Sequence, residues 1–357
     1  VAPGQAEPGP LLVTGGTGLA GSTIALLAAR QGLQVRALVR GCPEVTPLTD
    51  AGVEIVQGDI CDPDSLDRAM RGASGVIHTA AALGGTWSKN TPDDMWRVNH
   101  GGALNVLDAA QRAGVRRTVL IDSQSVIDPA FTQTERSPVV LISDLDSAYV
   151  QSKRAMFYAA MHRASLGQDV VVVTPGGIYG PGAFVERSLE PSSFNSVLLR
   201  GVTGALASYL SFPMMWTYVP DLAEICLRAL SGGRIGRRYL AMGEDGDVSS
   251  IAEFCNQGAV IAGLPARVRD IDPAAPDAPD IGTMRQFAAR TYATPLIDCS
   301  ATTAELGYRP TPRAVNGLAL SDHMRAEQVE LDFPDDLGDA RLAGLAGREV
   351  TGFLGFA

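Results

Sequence analysis

Thr14-Gly15-Gly16-Thr17-Gly18-Leu19-Ala20-Gly21 decides how the rest of this chain is read. A short apolar run, Leu11-Leu12-Val13, precedes it, and a helical pattern from Ser22 to Arg30 follows. Strand, glycine turn and helix form the context in which such a motif binds a dinucleotide. One glycine makes the tight turn, another leaves room for a pyrophosphate against the backbone, and the last lets helix and strand pack closely. The helix N-terminus then offers free N–H groups and a positive dipole end to the phosphates. Glycine spacing alone also fits a turn with no ligand, so the weight falls on what comes after it.

What comes after is an alternation of strand and helix signals. Strands are expected at Gln34–Val39, Val53–Gln57, Gly75–His78, Thr118–Ile121 and Asp169–Val173. Between them, Pro63–Met70 opens like a helix with Asp62 as N-cap and proline at the first position. Asp93–Ala113 and Ala148–Ser165 read as long helices stopped near Gly114 and Gly167. The pattern predicts an α/β fold, a Rossmann-type doubly wound parallel sheet with a smaller, mixed C-terminal substrate lobe. The expected divisions are a mobile lead-in at 1–10, a dinucleotide-binding domain at 11–182, a substrate lobe at 183–328 with some segments returning to the sheet, and a tail at 329–357 with no assigned role.

Composition narrows the classes of function. The 357 residues are 46% hydrophobic and 19% charged, enough for a sizeable core, and the net charge is -10. An acidic chain does not attract a phosphate backbone, so no nucleic-acid partner is expected. The five cysteines (Cys42, Cys61, Cys226, Cys255, Cys299) include no C-x-x-C pair, and the four histidines form no zinc motif. Free thiols, no metal and a cytoplasmic location are the expectation, with no secretory leader read in the lead-in. Gly201–Pro220 carries no charge and approaches the length of a membrane helix, but Gly204, Pro213 and Pro220 interrupt it. An apolar pocket or an interface suits it better than a membrane span.

Tyr149 and Lys153 stand four apart at the start of the second long helix and share one face. A phenol near an ammonium is expected to have a lowered pKa, which suits general acid–base work. Ser123 ends the fifth strand, and carboxyl ends of parallel strands face the ligand crevice.

With these residues in place, the chain resembles an extended short-chain dehydrogenase/reductase, the superfamily of NAD(P)-dependent epimerases, dehydratases, 3β-hydroxysteroid dehydrogenases and dihydroflavonol-type reductases. The resemblance rests on Thr14–Gly21, Gly58-Asp59-Ile60, Val76–Ala81, Asn99, Ser123, Tyr149/Lys153 and Pro175–Gly182, with later echoes at Tyr218–Ala223 and Leu306–Pro310. It implies that Gly15, Thr17, Gly18, Leu19 and Gly21 surround the pyrophosphate, and that Asp59 and Ile60 hold the adenine. It further implies that Thr79, Ala80 and Ala81 pass beside ribose and pyrophosphate, that Asn99 belongs to the cofactor site, and that Pro175, Gly177 and Ile178 back the nicotinamide. Tyr149 would exchange the proton, Lys153 would hold the nicotinamide ribose, and Ser123, helped by Ser125, would polarise the substrate oxygen. Three positions depart from the family's frequent pattern. Asp122 replaces a Ser or Thr, Ile127-Asp128 replaces Tyr-Gly, and Thr174 replaces an Arg or His.

The second strand ends in Arg40 with no acid nearby, which favours the 2′-phosphate of NADP(H), with NAD(H) as the other option. The expected reaction is hydride transfer to or from a ketone, aldehyde or secondary alcohol on an apolar small molecule. A nucleotide-sugar epimerase or dehydratase is the alternative, and a non-catalytic nucleotide sensor is a third reading on the same fold. The apolar substrate is expected from Val197–Val219, where Leu198, Leu199, Tyr209, Phe212, Met214 and Trp216 stand with Arg200 as the one charge. The same segment would also suit a lobe core or a homodimer contact.

Overall fold

A computed structural model describes residues 9–41, 43–84, 88–128, 133–139, 147–243, 248–261, 264–276, 278 and 297–311. Seven strands make one sheet: β1 (Leu11–Thr14), β2 (Val35–Val39), β3 (Glu54–Gln57), β4 (Gly75–His78), β5 (Arg117–Ile121), β6 (Val170–Pro175) and, later in the chain, β10 (Arg238–Ala241). Their order is β10-β6-β5-β4-β1-β2-β3, and every pair is parallel. The order reverses at β1, so the crevice between the carboxyl ends of β1 and β4 is where such a sheet takes its ligand.

Side-chain alternation gives each strand two apolar faces. On one, Val13, Ile77, Val119, Val171 and Tyr239 meet Ile24 and Ala28 of α1 (Leu19–Arg30). Leu222, Ile225 and Cys226 of α9 (Val219–Gly232) complete that layer. On the other face, Leu12, Leu38 and Val76 pack on Leu66 of α3 (Pro63–Ala69) and Val106 of α5 (Gly102–Arg112). Leu120 and Val172 pack on Phe157 and Ala160 of α6 (Ala148–Ser165). Val170–Val173 are all 0% exposed, and each such side chain contributes roughly 1.5–3 kcal/mol through burial. This is why the sixth strand reads as an unbroken Val run.

Two elements differ from the sequence reading. The helix expected at Asp93–Ala113 is α4 (Pro92–Met95), a π-helical turn at Trp96–Gly101, then α5. Pro175–Gly182, which falls outside the strands expected from the sequence, contributes β7 (Gly177–Tyr179), which pairs with β9 (Met214–Tyr218). The later segment that returns to the main sheet is β10, a seventh strand beside β6. The first six strands fall within a residue or two of their expected positions. Asp62 accepts a hydrogen bond from the amide of Asp64 and Pro63 opens α3, as the N-cap reading requires.

The second layer holds α7 (Val185–Ser188), α8 (Phe194–Thr203), β8 (Ser208–Leu210), β9, β11 (Val248–Ser249), α10 (Ile251–Ile261) and β12 (Arg269–Ile271). Its core is built on Trp216 stacked on Phe254 at 3.8 Å between ring centroids. Gly201–Pro220 is thus the end of α8, two short strands and the start of α9, and no helix among the described residues is long and apolar enough to cross a membrane. Cys61, Cys226, Cys255 and Cys299 form no disulfide among the described residues. Cys42, the lead-in up to Pro8, part of the Asp272–Asp280 stretch and the tail at 329–357 lie outside the described residues.

Candidate active site

The glycine turn shows a separate reason for each of its spaced glycines. Gly15 has φ 71°, and a Cβ there would stand 2.9 Å from the amide nitrogen of Ala80. A Cβ on Gly21 would stand 2.1 Å from the carbonyl oxygen of Gly15, so helix and turn can approach only without it. Gly18 is exposed and is the N-cap of α1, with no side-chain cap. The first-turn amides therefore have no side-chain acceptor, which is the donor set an anion needs.

A cavity of about 780 Å³ runs from this turn along the carboxyl ends of the strands. Gly15, Thr17, Gly18, Leu19, Gly21, Arg40, Asp59, Ile60, Thr79, Ala80 and Ala81 line one end, and Ser123, Tyr149, Lys153, Pro175, Gly177 and Ile178 lie further along. Arg40 is exposed at the end of β2. Asp59 is oriented by the amide of Cys61, 2.8 Å from Oδ1, and by its own amide donating to Ser65 Oγ at 3.0 Å. Thr79 Oγ1 donates to the Thr14 carbonyl at 2.7 Å and so ties the end of β4 to that of β1.

Asn99 does not line the cavity. It is 1% exposed, accepts from the Ala82 amide at 2.7 Å and donates to the Ala82 carbonyl and Ser152 Oγ at 3.0 and 3.1 Å. It holds the segment after β4 against α6, and the π-helical turn carries it; such turns recur at functional sites. On this geometry Asn99 braces the cofactor wall rather than touching what the wall encloses.

Ser147 caps α6 by accepting from the Val150 amide at 3.3 Å, which sets Tyr149 in the first turn. Ser123 Oγ lies 2.9 Å from Ser125 Oγ, and the Ser123 side chain bears on the Tyr149 phenol. Lys153 Nζ donates to the Ile121 carbonyl at 2.9 Å. Burial pushes the Tyr149 phenol up to about 12, the Ser123 side chain opposes this, and the Asp122 carboxylate adds to it. The lowering expected from the Tyr–Lys spacing is therefore reversed, because desolvation of a phenolate outweighs a cation turned toward a backbone carbonyl. Burial also lowers Lys153 to about 8, with Asp122 opposing.

Some residues that form the wall, or brace it from behind, carry no signal in the sequence. Thr217 Oγ1 accepts from the Gly176 amide at 2.8 Å and donates to the Ala241 carbonyl, fixing the Pro175–Ile178 turn. Asn195, fully buried, bonds both backbone groups of Gly180 at 3.0 and 2.9 Å. Gln124 donates to Gln133 Oε1 at 3.1 Å, and both line the cavity. None of these has a fixed offset from the glycine turn or from Tyr149, so only the folded chain brings them in.

A dinucleotide cradle joined to a Ser-Tyr-Lys group on a doubly wound parallel sheet defines an NAD(P)-dependent oxidoreductase of the extended short-chain dehydrogenase/reductase type. The model of the NAD dependent epimerase/dehydratase family matches residues 11–241, and the chain belongs to that family. A Synechocystis sp. protein provisionally named dihydroflavonol 4-reductase is 32% identical over 263 residues, covering 71% of this chain and 73% of its own length. A Mycobacterium tuberculosis 3 beta-hydroxysteroid dehydrogenase/Delta 5-->4-isomerase is 31% identical over 231 residues, 60% of this chain and 58% of its own. The fold is shared with the dTDP-glucose 4,6-dehydratase DesIV from Streptomyces venezuelae, solved with NAD bound. Its TM-score is 0.70 at 24% identity, over 89% of this chain and 97% of that one.

Proposed function

We propose that this protein transfers a hydride between NADP(H) and a ketone, aldehyde or secondary alcohol on a largely apolar small molecule. The observation that carries the reading is the substrate end of the cavity. There Ile127, Phe194, Val197, Tyr209, Phe212 and Met214 form the wall beside Ser123 and Tyr149. Apolar walls favour apolar ligands by about 25 cal/mol for each Å² removed from water. The segment expected to supply that wall does so only in part. Leu198, Leu199, Val202, Leu210, Met215 and Trp216 are buried in the protein's own cores.

When bound, the cofactor would give or take the hydride. Gly15, Gly18 and Gly21 would line its pyrophosphate, Thr79, Ala80 and Ala81 would pass beside its ribose and pyrophosphate, Asp59 and Ile60 would hold its adenine, and Lys153 would hold its nicotinamide ribose. Arg40 supports a 2′-phosphate, since it lines the cavity and no carboxylate among the described residues pairs with it. Ser123 Oγ would hold the substrate oxygen, and Tyr149 would give it a proton on reduction.

The nucleotide-sugar alternative draws support from Arg187, which lines the cavity. Arg187 is paired with Glu190 at 2.7 Å, so a diphosphate would have to displace a carboxylate before gaining that cation. A thermal-shift competition tests the reading. With NADP(H) present, apolar ketones and alcohols should stabilise the protein and nucleotide sugars should not; stabilisation by nucleotide sugars alone would replace it with the alternative.

A further inference from the structure

Beside Ser123, the cavity holds a pair of amides that the proposed reaction does not use. Gln124 follows Ser123 directly and opens the short 3-10 turn Gln124–Val126. Its Nε2 donates to Gln133 Oε1 at 3.1 Å, and both side chains line the cavity. Gln133 is 5% exposed, and its backbone carbonyl accepts from the Asp298 amide at 2.9 Å, beside the bridge that joins Gln133 to Ile297. Two separate segments therefore hold the glutamines against each other inside the protein.

The single bond between them leaves one acceptor and one donor over. Among the described residues, Gln124 Oε1 and Gln133 Nε2 have no hydrogen-bond partner, and both atoms stay open to the cavity. Gln124 Oε1 faces the Pro175–Ile178 turn, 3.2 Å from where a Cβ on Gly176 would stand. The side chains that share this end of the cavity are apolar. Ile127 and Ile297 belong to one buried cluster on which Val248 packs, and all three line the cavity. An amide left unpaired among apolar side chains is costly, so once the cavity is filled its partner has to come from the ligand.

We propose that Gln124 and Gln133 form a recognition subsite for a hydroxyl group of the substrate, separate from the oxygen at which hydride is transferred. The hydroxyl donates to Gln124 Oε1 and accepts from Gln133 Nε2, and a hydroxyl is the small group that fills both roles at once. Turning both amides over leaves the same offer of one carbonyl and one NH2. A carboxylate would meet the amide carbonyl with like polarity, and an ammonium would meet the NH2 in the same way. The substrate is thus an apolar skeleton with two oxygen functions. The reacting one lies at Ser123 and Tyr149, and the hydroxyl lies toward Ile127 and Ile297. The inference rests on the apolar-substrate reading proposed above and narrows it.

Calorimetry with NADP+ present, which cannot reduce a ketone, tests this as binding without turnover. Hydrophobic hydroxyketones are compared with deoxy ketones of the same skeleton. The wild type should bind a hydroxyketone about tenfold more tightly than its deoxy partner, the usual contribution of a pair of neutral hydrogen bonds. Gln124→Met and Gln133→Met, close to glutamine in length, should each remove that preference and leave the affinities for the deoxy ketone and for NADPH nearly as they were. Equal affinities within every wild-type pair, or a preference that survives in both variants, would overturn the proposal. So would a loss of NADPH affinity in Gln124→Met, which would give that amide to the cofactor. Should the variants fail to fold, the wild-type comparison decides alone. Binding of neither member of any pair would fail the apolar-substrate reading and take the subsite with it. A clear hydroxyl preference with no NADPH consumed in a separate turnover assay would count against hydride transfer and leave the subsite standing.

Discussion

Tyr149, with its phenol pushed up to about 12, keeps its proton at neutral pH, the state that the proposed reduction asks of a proton donor. Tyr149→Phe should cut turnover by ~10²–10⁴-fold, the usual contribution of general acid–base catalysis, while NADPH affinity measured by fluorescence titration stays nearly unchanged. Retention of more than about a tenth of the rate would remove Tyr149 from the role. At the other end of the cavity, Arg40→Ala should weaken NADPH binding about tenfold or more and leave NADH nearly as it was. A charge-assisted contact contributes roughly 1.5–3 kcal/mol, and only NADPH would make it. Equal losses for both cofactors, read by calorimetry, would contradict the NADP(H) preference. Tyr149, Lys153 and the glycines were legible because helical and turn geometry fix their spacing. The pKa directions were not, since they depend on burial and on a lysine that turns to the Ile121 carbonyl.

At the scale of elements, the strands were legible wherever burial on both faces left continuous apolar runs. The π-helical turn at Trp96–Gly101 was not, because its residues keep an ordinary helical pattern and only the pull of Asn99 on Ala82 distinguishes it. A return to the sheet was expected, but β10, the strand that makes it, was not located, for a different reason. Arg238-Tyr239-Leu240-Ala241 opens with a charge that reads as surface, yet Arg238 is buried at 5% exposure. The end of β4 also supports a pH prediction. His78 is 1% exposed and shares a 2.7 Å hydrogen bond between its Nδ1 and Thr14 Oγ1. Burial first, and the charge of Lys153 second, lower it from 6.5 to about 3. Since the folded-state value lies below the unfolded one, this contribution is intact above the ordinary histidine value and is lost as pH falls toward the folded one. Going from about pH 7 to about pH 4.5 should cost the fold roughly 2–3 kcal/mol through His78 alone. His78→Asn should therefore lose less stability over that interval than the wild type, as measured by urea unfolding at both pH values. Parallel losses in the two proteins would show that His78 does not carry the effect.

For the whole molecule, two layers meet along one cavity, with the dinucleotide cradle on the sheet and apolar side chains from the second layer over Ser123 and Tyr149. The sheet was legible because its connections repeat. The second layer was not, because Val197–Val219 divides residue by residue between wall and core, and nothing in an unbroken apolar stretch says which side chain faces which way. That division also sets the substrate reading against the nucleotide-sugar alternative. The most direct measurement is a stoichiometric one. The protein is mixed with NADPH and a panel of hydrophobic ketones and aldehydes, and in parallel with nucleotide sugars, while cofactor and organic product are both quantified. Net reduction of an apolar carbonyl, one NADPH consumed for each alcohol formed, is the predicted result. Conversion of a nucleotide sugar with the cofactor returned unchanged, and no response to any apolar carbonyl, would contradict it.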